Sequence, residues 1–135
     1  MKGSVDFFNL VSRILAVGLF FVSGIGKITA YGTNLDLMTQ NHVPAFFLPL
    51  VILLEVAGSI AIVFGFLTRF TSAFMAVFSI AAGILFYQGY SHEHLIVWLK
   101  NASCAAGFLM LVLYGPGRYS MDYWLKGRLQ KTSRA

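Results

Sequence analysis

The residue best placed to do chemistry is an acid inside a long apolar stretch. Glu55 lies between Leu54 and Val56. An ionised group near the middle of a bilayer costs ~2.5–3.5 kcal/mol on insertion scales, and such groups persist where they are paired or face other helices. Gly58 and Ser59 follow on the same helical face, and small residues mark the faces on which membrane helices pack. We therefore expect Glu55 to face neighbouring helices and not lipid.

Two basic residues in the preceding apolar stretch, Arg13 and Lys27, could neutralise this acid. They are fourteen residues apart, nearly four helical turns, so they share one face of a helix. Side chains lean toward the N-terminus of their own helix. If the first helix runs outward and the second inward, Lys27 and Glu55 lean toward each other. We predict a Lys27–Glu55 pair, with Arg13 either snorkelling to the headgroups or making a second, longer contact.

A polar amide completes the candidate intramembrane site, which comprises Lys27, Glu55, Asn101 and Arg13. Asn101 shares a helical face with Cys104 and a run of apolar residues, and an amide there can hydrogen-bond across helices. The preceding Lys100 is expected to snorkel outward. The site has two interpretations. It either fixes the register of the helices or holds a ligand or proton, and no catalytic residue is identified.

Other chemistries find little support in the sequence. His42, His92 and His94 are expected in the two outer connections, and the spacing His92-Glu93-His94 is not diagnostic, so we predict no metal site. Cys104 is the single cysteine, which excludes an internal disulfide and a CxxC pair. Redox chemistry would therefore need a bound cofactor or a partner protein. No phosphate loop or dinucleotide glycine pattern occurs.

The elements that position these residues are four apolar stretches. Hydrophobic residues make up 58% of the chain and charged residues 11%, whereas soluble domains carry about 25% charged residues. The stretches cover residues 8–30, 45–66, 70–87 and 95–114, each near the ~20 residues that cross a bilayer. Thr68-Arg69 is predicted as the tight turn between the second and third. We predict an all-α, membrane-spanning four-helix bundle in a lipid bilayer.

The distribution of positive charge predicts the orientation. With the N-terminus inside, seven of the ten Lys and Arg residues are cytoplasmic, so both termini are expected there. Gly115-Pro116-Gly117 ends a transmembrane domain of residues 1–117, and residues 118–135 form a basic cytoplasmic tail. This tail is either loose or an amphipathic segment on the membrane surface. Because the basic residues flank apolar runs, nucleic acid is not an expected partner.

Short motifs along the whole chain resemble the DoxX family of small bacterial inner-membrane proteins. The matching pieces are Arg13-Ile14, Ser23-Gly24-Ile25-Gly26-Lys27, Leu54-Glu55, Gly65-Phe66-Leu67-Thr68-Arg69, Lys100-Asn101 and Gly115-Pro116-Gly117-Arg118-Tyr119-Ser120-Met121-Asp122. The resemblance implies four transmembrane helices and a location in the bacterial inner membrane. It also implies a link to redox systems, since some relatives are membrane subunits of quinone-linked sulfur-compound oxidoreductases or partners of redox enzymes.

Three functions remain open from the sequence. The first is a membrane subunit or partner of a redox enzyme, with quinone as the cofactor that the resemblance suggests. The second is a non-catalytic envelope or assembly protein. The third is a small transporter or proton pathway, which the scarcity of polar residues disfavours. Helices with small-residue faces could also associate into a homo-oligomer.

Overall fold

The architecture is helical throughout the part of the chain that the structure describes, residues 2–86 and 91–132 of a computed structural model. Those ranges contain six helices, α1 (Lys2–Thr29), α2 (Tyr31–Gln40), α3 (Phe47–Phe64), α4 (Thr68–Phe86), α5 (His92–Tyr114) and α6 (Met121–Thr132). Four of them, α1, α3, α4 and α5, are long and apolar enough to cross a membrane. The predicted all-α, four-span fold class is confirmed. The predicted end of the third span at Tyr87 and the first three residues of the connection after it, 88–90, lie outside the described residues.

The first outer connection contains a helix that the sequence analysis did not predict. The first apolar stretch was predicted to end at residue 30, and the polar residues that follow it, Gly32-Thr33-Asn34, lie in α2. The ten residues of α2 extend roughly 15 Å, which is too short to cross a bilayer. Its Met38 is buried against the bundle. The connection therefore forms a short helix packed on the end of the bundle where α1 stops.

The turn between the second and third spans lies immediately before the residues predicted to form it. Thr68 and Arg69 are the first residues of α4, and the turn consists of Gly65, Phe66 and Leu67. Gly65 ends α3 in the left-handed conformation, with a φ of 72°. Glycine adopts this conformation without the clash that a Cβ introduces. The prediction of Thr68-Arg69 as the turn was wrong because the glycine, not the polar pair, stops the helix.

Two helix pairs form the bundle. α1 packs most extensively on α3, and α4 on α5, while α1 and α5 touch at few positions. The ring of Phe20 on α1 lies 5.5 Å from that of Phe108 on α5 and 6.2 Å from that of Phe78 on α4. The buried apolar core around them consists of Val17, Phe20, Ile62, Met75, Ala76, Ala105, Phe108 and Leu111. These aromatic contacts bridge the two pairs at the centre.

The outer surface of the bundle is apolar. Each spanning helix exposes large aliphatic side chains, among them Leu15 on α1, Leu53 on α3, Val77 on α4 and Leu113 on α5. A contiguous apolar surface of this extent marks a membrane-facing protein. The exposed apolar side chains therefore face the lipid, and the buried polar residues of the spans are Arg13, Glu55, Ser59, Thr68, Ser72, Ser79 and Asn101.

Candidate functional site

The predicted ion pair between the first and second spans is present. Lys27 Nζ lies 2.8 Å from Glu55 Oε2 and 2.9 Å from Oε1. Ser23 forms the third member, since Lys27 Nζ donates to its Oγ at 2.6 Å and the Ser23 hydroxyl donates to Glu55 Oε1 at 3.3 Å. Glu55 is only 3% exposed, so its charge is compensated inside the bundle and away from lipid. The ion pair thus ties α1 to α3.

A glycine allows the two helices to come close at this point. A Cβ on Gly24 would lie 2.7 Å from Val56 Cγ2 and 3.1 Å from Glu55 Cβ, both tighter than ordinary contacts. On α3, Ser59 faces α1, because its hydroxyl lies 3.5 Å from the backbone carbonyl of Val17. Small residues on both helices therefore set the separation across which Lys27 and Glu55 meet. The spacing of Gly24 to Lys27 on one face was visible in the sequence, but its contact with Val56 was not.

A cavity of about 400 Å³ lies beside the ion pair. Ser23, Lys27 and Glu55 form one polar wall, and Lys100 and Asn101 on α5 line it as well. Asn101 is buried, and its backbone carbonyl accepts a hydrogen bond from Ser79 at 2.7 Å. The apolar part of the lining includes Phe20, Phe78, Phe86, Leu48, Val51 and, from α2, Leu37 and Met38. Three of the four predicted site residues, Lys27, Glu55 and Asn101, thus line one cavity.

The fourth predicted site residue, Arg13, lies elsewhere, and both predicted placements of its side chain were wrong. Arg13 is fully buried, with 0% exposure, so it does not snorkel. Its Nη1 donates to the carbonyls of Ile62 at 3.2 Å and Val63 at 3.1 Å, and its Nη2 donates to the carbonyl of Tyr119. The carbonyls at the end of α3 form the negative end of the helix dipole, and that of Ile62 also accepts the backbone N–H of Gly65 at 3.1 Å. These carbonyls, and not Glu55, bind the guanidinium.

Around Arg13, three chain segments form what we call the junction: Arg13, Gly65–Thr68 and Tyr119–Asp122. The Asp122 carboxylate accepts the backbone N–H groups of Leu67 at 2.8 Å and Thr68 at 2.9 Å. The backbone N–H of Asp122 donates to the carbonyl of Gly65 at 2.9 Å. Asp122 therefore caps the N-terminus of α4 from the first turn of α6. Sequence reasoning assigned no role to Asp122, because its partners are more than fifty residues away.

The start of α1 lies at the same end of the bundle as the junction. Asn9 donates its side-chain N–H to the carbonyl of Gly115 at 3.1 Å. The backbone N–H of Arg118 donates to Asp6 Oδ1 at 3.0 Å, and the Arg118 guanidinium lies 4.0 Å from Asp6 Oδ2. The beginning of the first span and the end of the fourth are therefore on one side.

The histidines were partly misplaced by the sequence analysis. His92 and His94 lie in the first turn of α5 and not in a loop, whereas His42 follows α2. In residues 2–86 and 91–132, no group of three or more His, Cys, Asp or Glu side chains is arranged to hold a metal ion. Cys104 is half-buried and packs against the core.

The six sequence motifs form two clusters at different levels of the bundle. Those containing Ser23 to Lys27, Glu55 and Asn101 line the cavity. Those containing Arg13, Gly65 to Arg69, and Gly115 to Asp122 build the junction and its surroundings. The cavity cluster has the features of a ligand site, and the junction has those of a structural latch.

Comparison with known proteins places these motifs in a wider group. The family model described as DoxX matches residues 8–88. Inner membrane protein YqjF of Escherichia coli (strain K12) is 45% identical over 123 residues, which cover 90% of this chain and 95% of that protein. Inner membrane protein YphA of the same organism is 27% identical over 84% of this chain and 86% of its own length. No solved structure matches the chain significantly.

Proposed function

We propose, from the premise that this chain belongs to the DoxX family and is an inner-membrane protein, that it serves as a membrane subunit or partner of a quinone-linked redox system. The observation that carries the proposal is the cavity of about 400 Å³ with hydrogen-bonding side chains inside an otherwise apolar bundle. Small-molecule sites are typically cavities of roughly 300–1,000 Å³ with apolar walls and a few placed polar groups. The cavity fits that description.

The side chains that line the cavity match the chemistry of a quinone head group. A quinone ring presents carbonyl oxygens, which accept hydrogen bonds, and flat apolar faces. Lys27 Nζ and the Asn101 amide are donors on the cavity wall. Phe20, Phe78 and Phe86 provide aromatic surface. A bound quinone would supply the two-electron redox chemistry, while these residues would bind and orient its ring.

The packing of the bundle favours a ligand that arrives from the lipid. The cavity is lined partly by Leu19 and Val22, whose side chains also face the membrane. α1 and α5, which lie on either side of it, pack on each other at few positions. A lipid-soluble molecule could therefore enter sideways past Leu19 and Val22. Because the chain has one cysteine, electrons would come from a partner enzyme and not from a dithiol of its own.

The test is the quinone content of the purified protein. We expect the protein, extracted in mild detergent, to carry close to stoichiometric quinone by mass spectrometry. Asn101→Leu and Glu55→Gln, which alter the cavity wall, should lower that content several-fold. Arg69→Gln is the matched control, since Arg69 lies near the other end of the bundle, where it donates to the Leu113 carbonyl. A parent protein that lacks quinone, and that binds none after reconstitution with a short-chain quinone, would rule the proposal out.

A second candidate function, a non-catalytic assembly protein, is favoured by a different observation. Ser23, Lys27 and Glu55 satisfy one another with hydrogen bonds of 2.6–3.3 Å, as a purely structural ion pair would. Under this alternative, the double variant Lys27→Met/Glu55→Gln should retain full cellular function wherever it still folds. Under the quinone proposal it should fold and lose function.

A further inference from the structure

α6 extends from the bundle at the level where the spans end. Its first turn is fixed there by the hydrogen bonds of Asp122 to Gly65, Leu67 and Thr68. Beyond Asp122, residues 123–130 are all exposed. Because α3 ends and α4 begins at this level, the first turn of α6 lies at the membrane boundary.

One face of α6 is apolar and continues the lipid-facing surface of the bundle. Met121, Trp124, Leu125 and Leu129 follow the spacing of a single helical face. Trp124 is 53% exposed and Leu129 is 70% exposed. Between this face and the bundle runs an open groove of about 520 Å³, lined by Leu10, Val63, Phe64, Tyr119, Ser120, Met121 and Trp124. Phe64 also faces the lipid, so the groove opens to the acyl chains of the bilayer.

A cation stacks on the ring of Trp124, one of the residues that line this groove. The Arg128 guanidinium lies 3.9 Å from the centre of the Trp124 ring, one turn further along the same face. Lys126, by contrast, projects from the opposite side of the helix, about 200° around the axis from Trp124. The groove thus combines an apolar lining with a guanidinium stacked on one of its residues, Trp124.

We propose that this groove is a binding site for one anionic phospholipid of the surrounding bilayer. An acyl chain lies against Leu10, Phe64 and Trp124, and the phosphate lies beside Arg128. Guanidinium groups bind phosphate oxygens well because they offer paired, planar donors. A tryptophan at the interface is suited to the glycerol level of the lipid, with an apolar ring and a polar N–H. The site is independent of the cavity and of its ligand.

The experiment uses the full chain in nanodiscs and reads Trp124 by fluorescence. Trp98→Phe leaves Trp124 as the single tryptophan. Phosphatidylcholine discs receive increasing fractions of brominated phosphatidylglycerol or brominated phosphatidylcholine, both of which quench tryptophan on contact. We expect brominated phosphatidylglycerol to reach half-maximal quenching at a mole fraction roughly fivefold lower than brominated phosphatidylcholine. This factor corresponds to the attraction of one cation for an anionic headgroup. The preference should shrink as salt is raised.

Two variants that each remove one positive charge from α6 distinguish a lipid bound at this site from a general attraction of α6 to anionic lipids. Arg128→Gln should abolish the preference for the anionic lipid, whereas Lys126→Gln, on the opposite side of α6, should retain it. An unchanged unfolding temperature of each variant would verify that the fold is intact. Equal quenching by the two lipids in the parent would overturn the proposal. Equal losses in the two variants would overturn it too, because the charge of α6 as a whole would then suffice.

Discussion

At the scale of residues, removal of either member of the Lys27–Glu55 pair leaves a charge without its partner inside the membrane. Breaking a buried ion pair typically costs about 3–5 kcal/mol, much of it from the charge left behind. We expect Glu55→Leu and Lys27→Met each to lower the free energy of unfolding, and the second to cost less because Lys27 is 22% exposed. The double variant should lose clearly less free energy of unfolding than the sum of the two single losses, with a coupling energy of roughly 1–3 kcal/mol.

Reversible unfolding in mixed micelles measures this cycle, and a second ion pair in the chain serves as its control. Asp6 and Arg118 are 4.0 Å apart, and the Arg118 side chain is 57% exposed. Pairs of that kind contribute about 0–1 kcal/mol, so Asp6→Ala with Arg118→Ala should show little coupling. Additive losses at Lys27 and Glu55 would show that the two side chains do not act as a pair.

The two basic residues of the first span show how far the sequence could predict single side chains. For Lys27, three features of the sequence indicated Glu55 as the partner. The next span contains that acid, the two side chains lean toward each other, and small residues mark the face on which Glu55 lies. The structure contains this pair. For Arg13 the partners are backbone carbonyls of Ile62, Val63 and Tyr119. Every residue has such a carbonyl, so no side-chain pattern in the sequence could indicate which ones the guanidinium reaches. The end of α3 had to be located first.

At the scale of elements, the glycine that ends α3 also determines how closely α6 can dock. A Cβ on Gly65 would lie 2.3 Å from Ser120 Cβ and 2.6 Å from Arg13 Nη1. Its φ of 72° adds a strain of about 1–2 kcal/mol for any residue with a side chain. We therefore expect Gly65→Ala to destabilise the protein by more than about 2 kcal/mol and to loosen α6.

Gly107→Ala is the matched control for this variant, because a Cβ at Gly107 in α5 meets nothing within 4 Å. There the higher helix propensity of alanine should leave stability unchanged or raise it by up to about 1 kcal/mol. Hydrogen exchange, measured together with unfolding, would detect the loosening of α6 as faster exchange of the Asp122 amide. Similar effects of the two substitutions would contradict the role given to Gly65.

The elements themselves differ in how well the sequence predicted them. The four spans were recognisable because twenty apolar residues leave few other structures open in a bilayer. α2 was missed because its ten residues, Tyr31–Gln40, contain two threonines, an asparagine and a glycine, which favour turns and loops. Its burial of Met38 against the bundle supplies the stabilisation that local propensity lacks. Tertiary packing of this kind cannot be inferred from the segment alone.

At the scale of the whole molecule, the cavity is the feature that sequence reasoning could not supply. Side chains from five helices line it, and α2, whose existence was not predicted, provides three of them. The sequence did suggest that Lys27, Glu55 and Asn101 belong together, since each is a polar group in an apolar span. It could not show that a space of about 400 Å³ remains between them. That space depends on how loosely α1 and α5 pack, which is a property of the assembled bundle.

The whole-molecule arrangement also makes the sidedness of the protein testable. The contacts of Asp6 with Arg118 and of Asn9 with Gly115 hold the first span's start and the fourth span's end on one side. The excess of Lys and Arg at that end favours the cytoplasm. We expect a green fluorescent protein fused after Ala135 to fluoresce and alkaline phosphatase fused there to be inactive. Alkaline phosphatase fused after Gln40, at the end of α2, should be active because that helix lies on the opposite side. If the phosphatase were active after Ala135 and inactive after Gln40, the orientation would be the reverse of the predicted one, and Arg128 with its proposed lipid would lie in the outer leaflet. Activity at both positions would contradict the four-span topology itself.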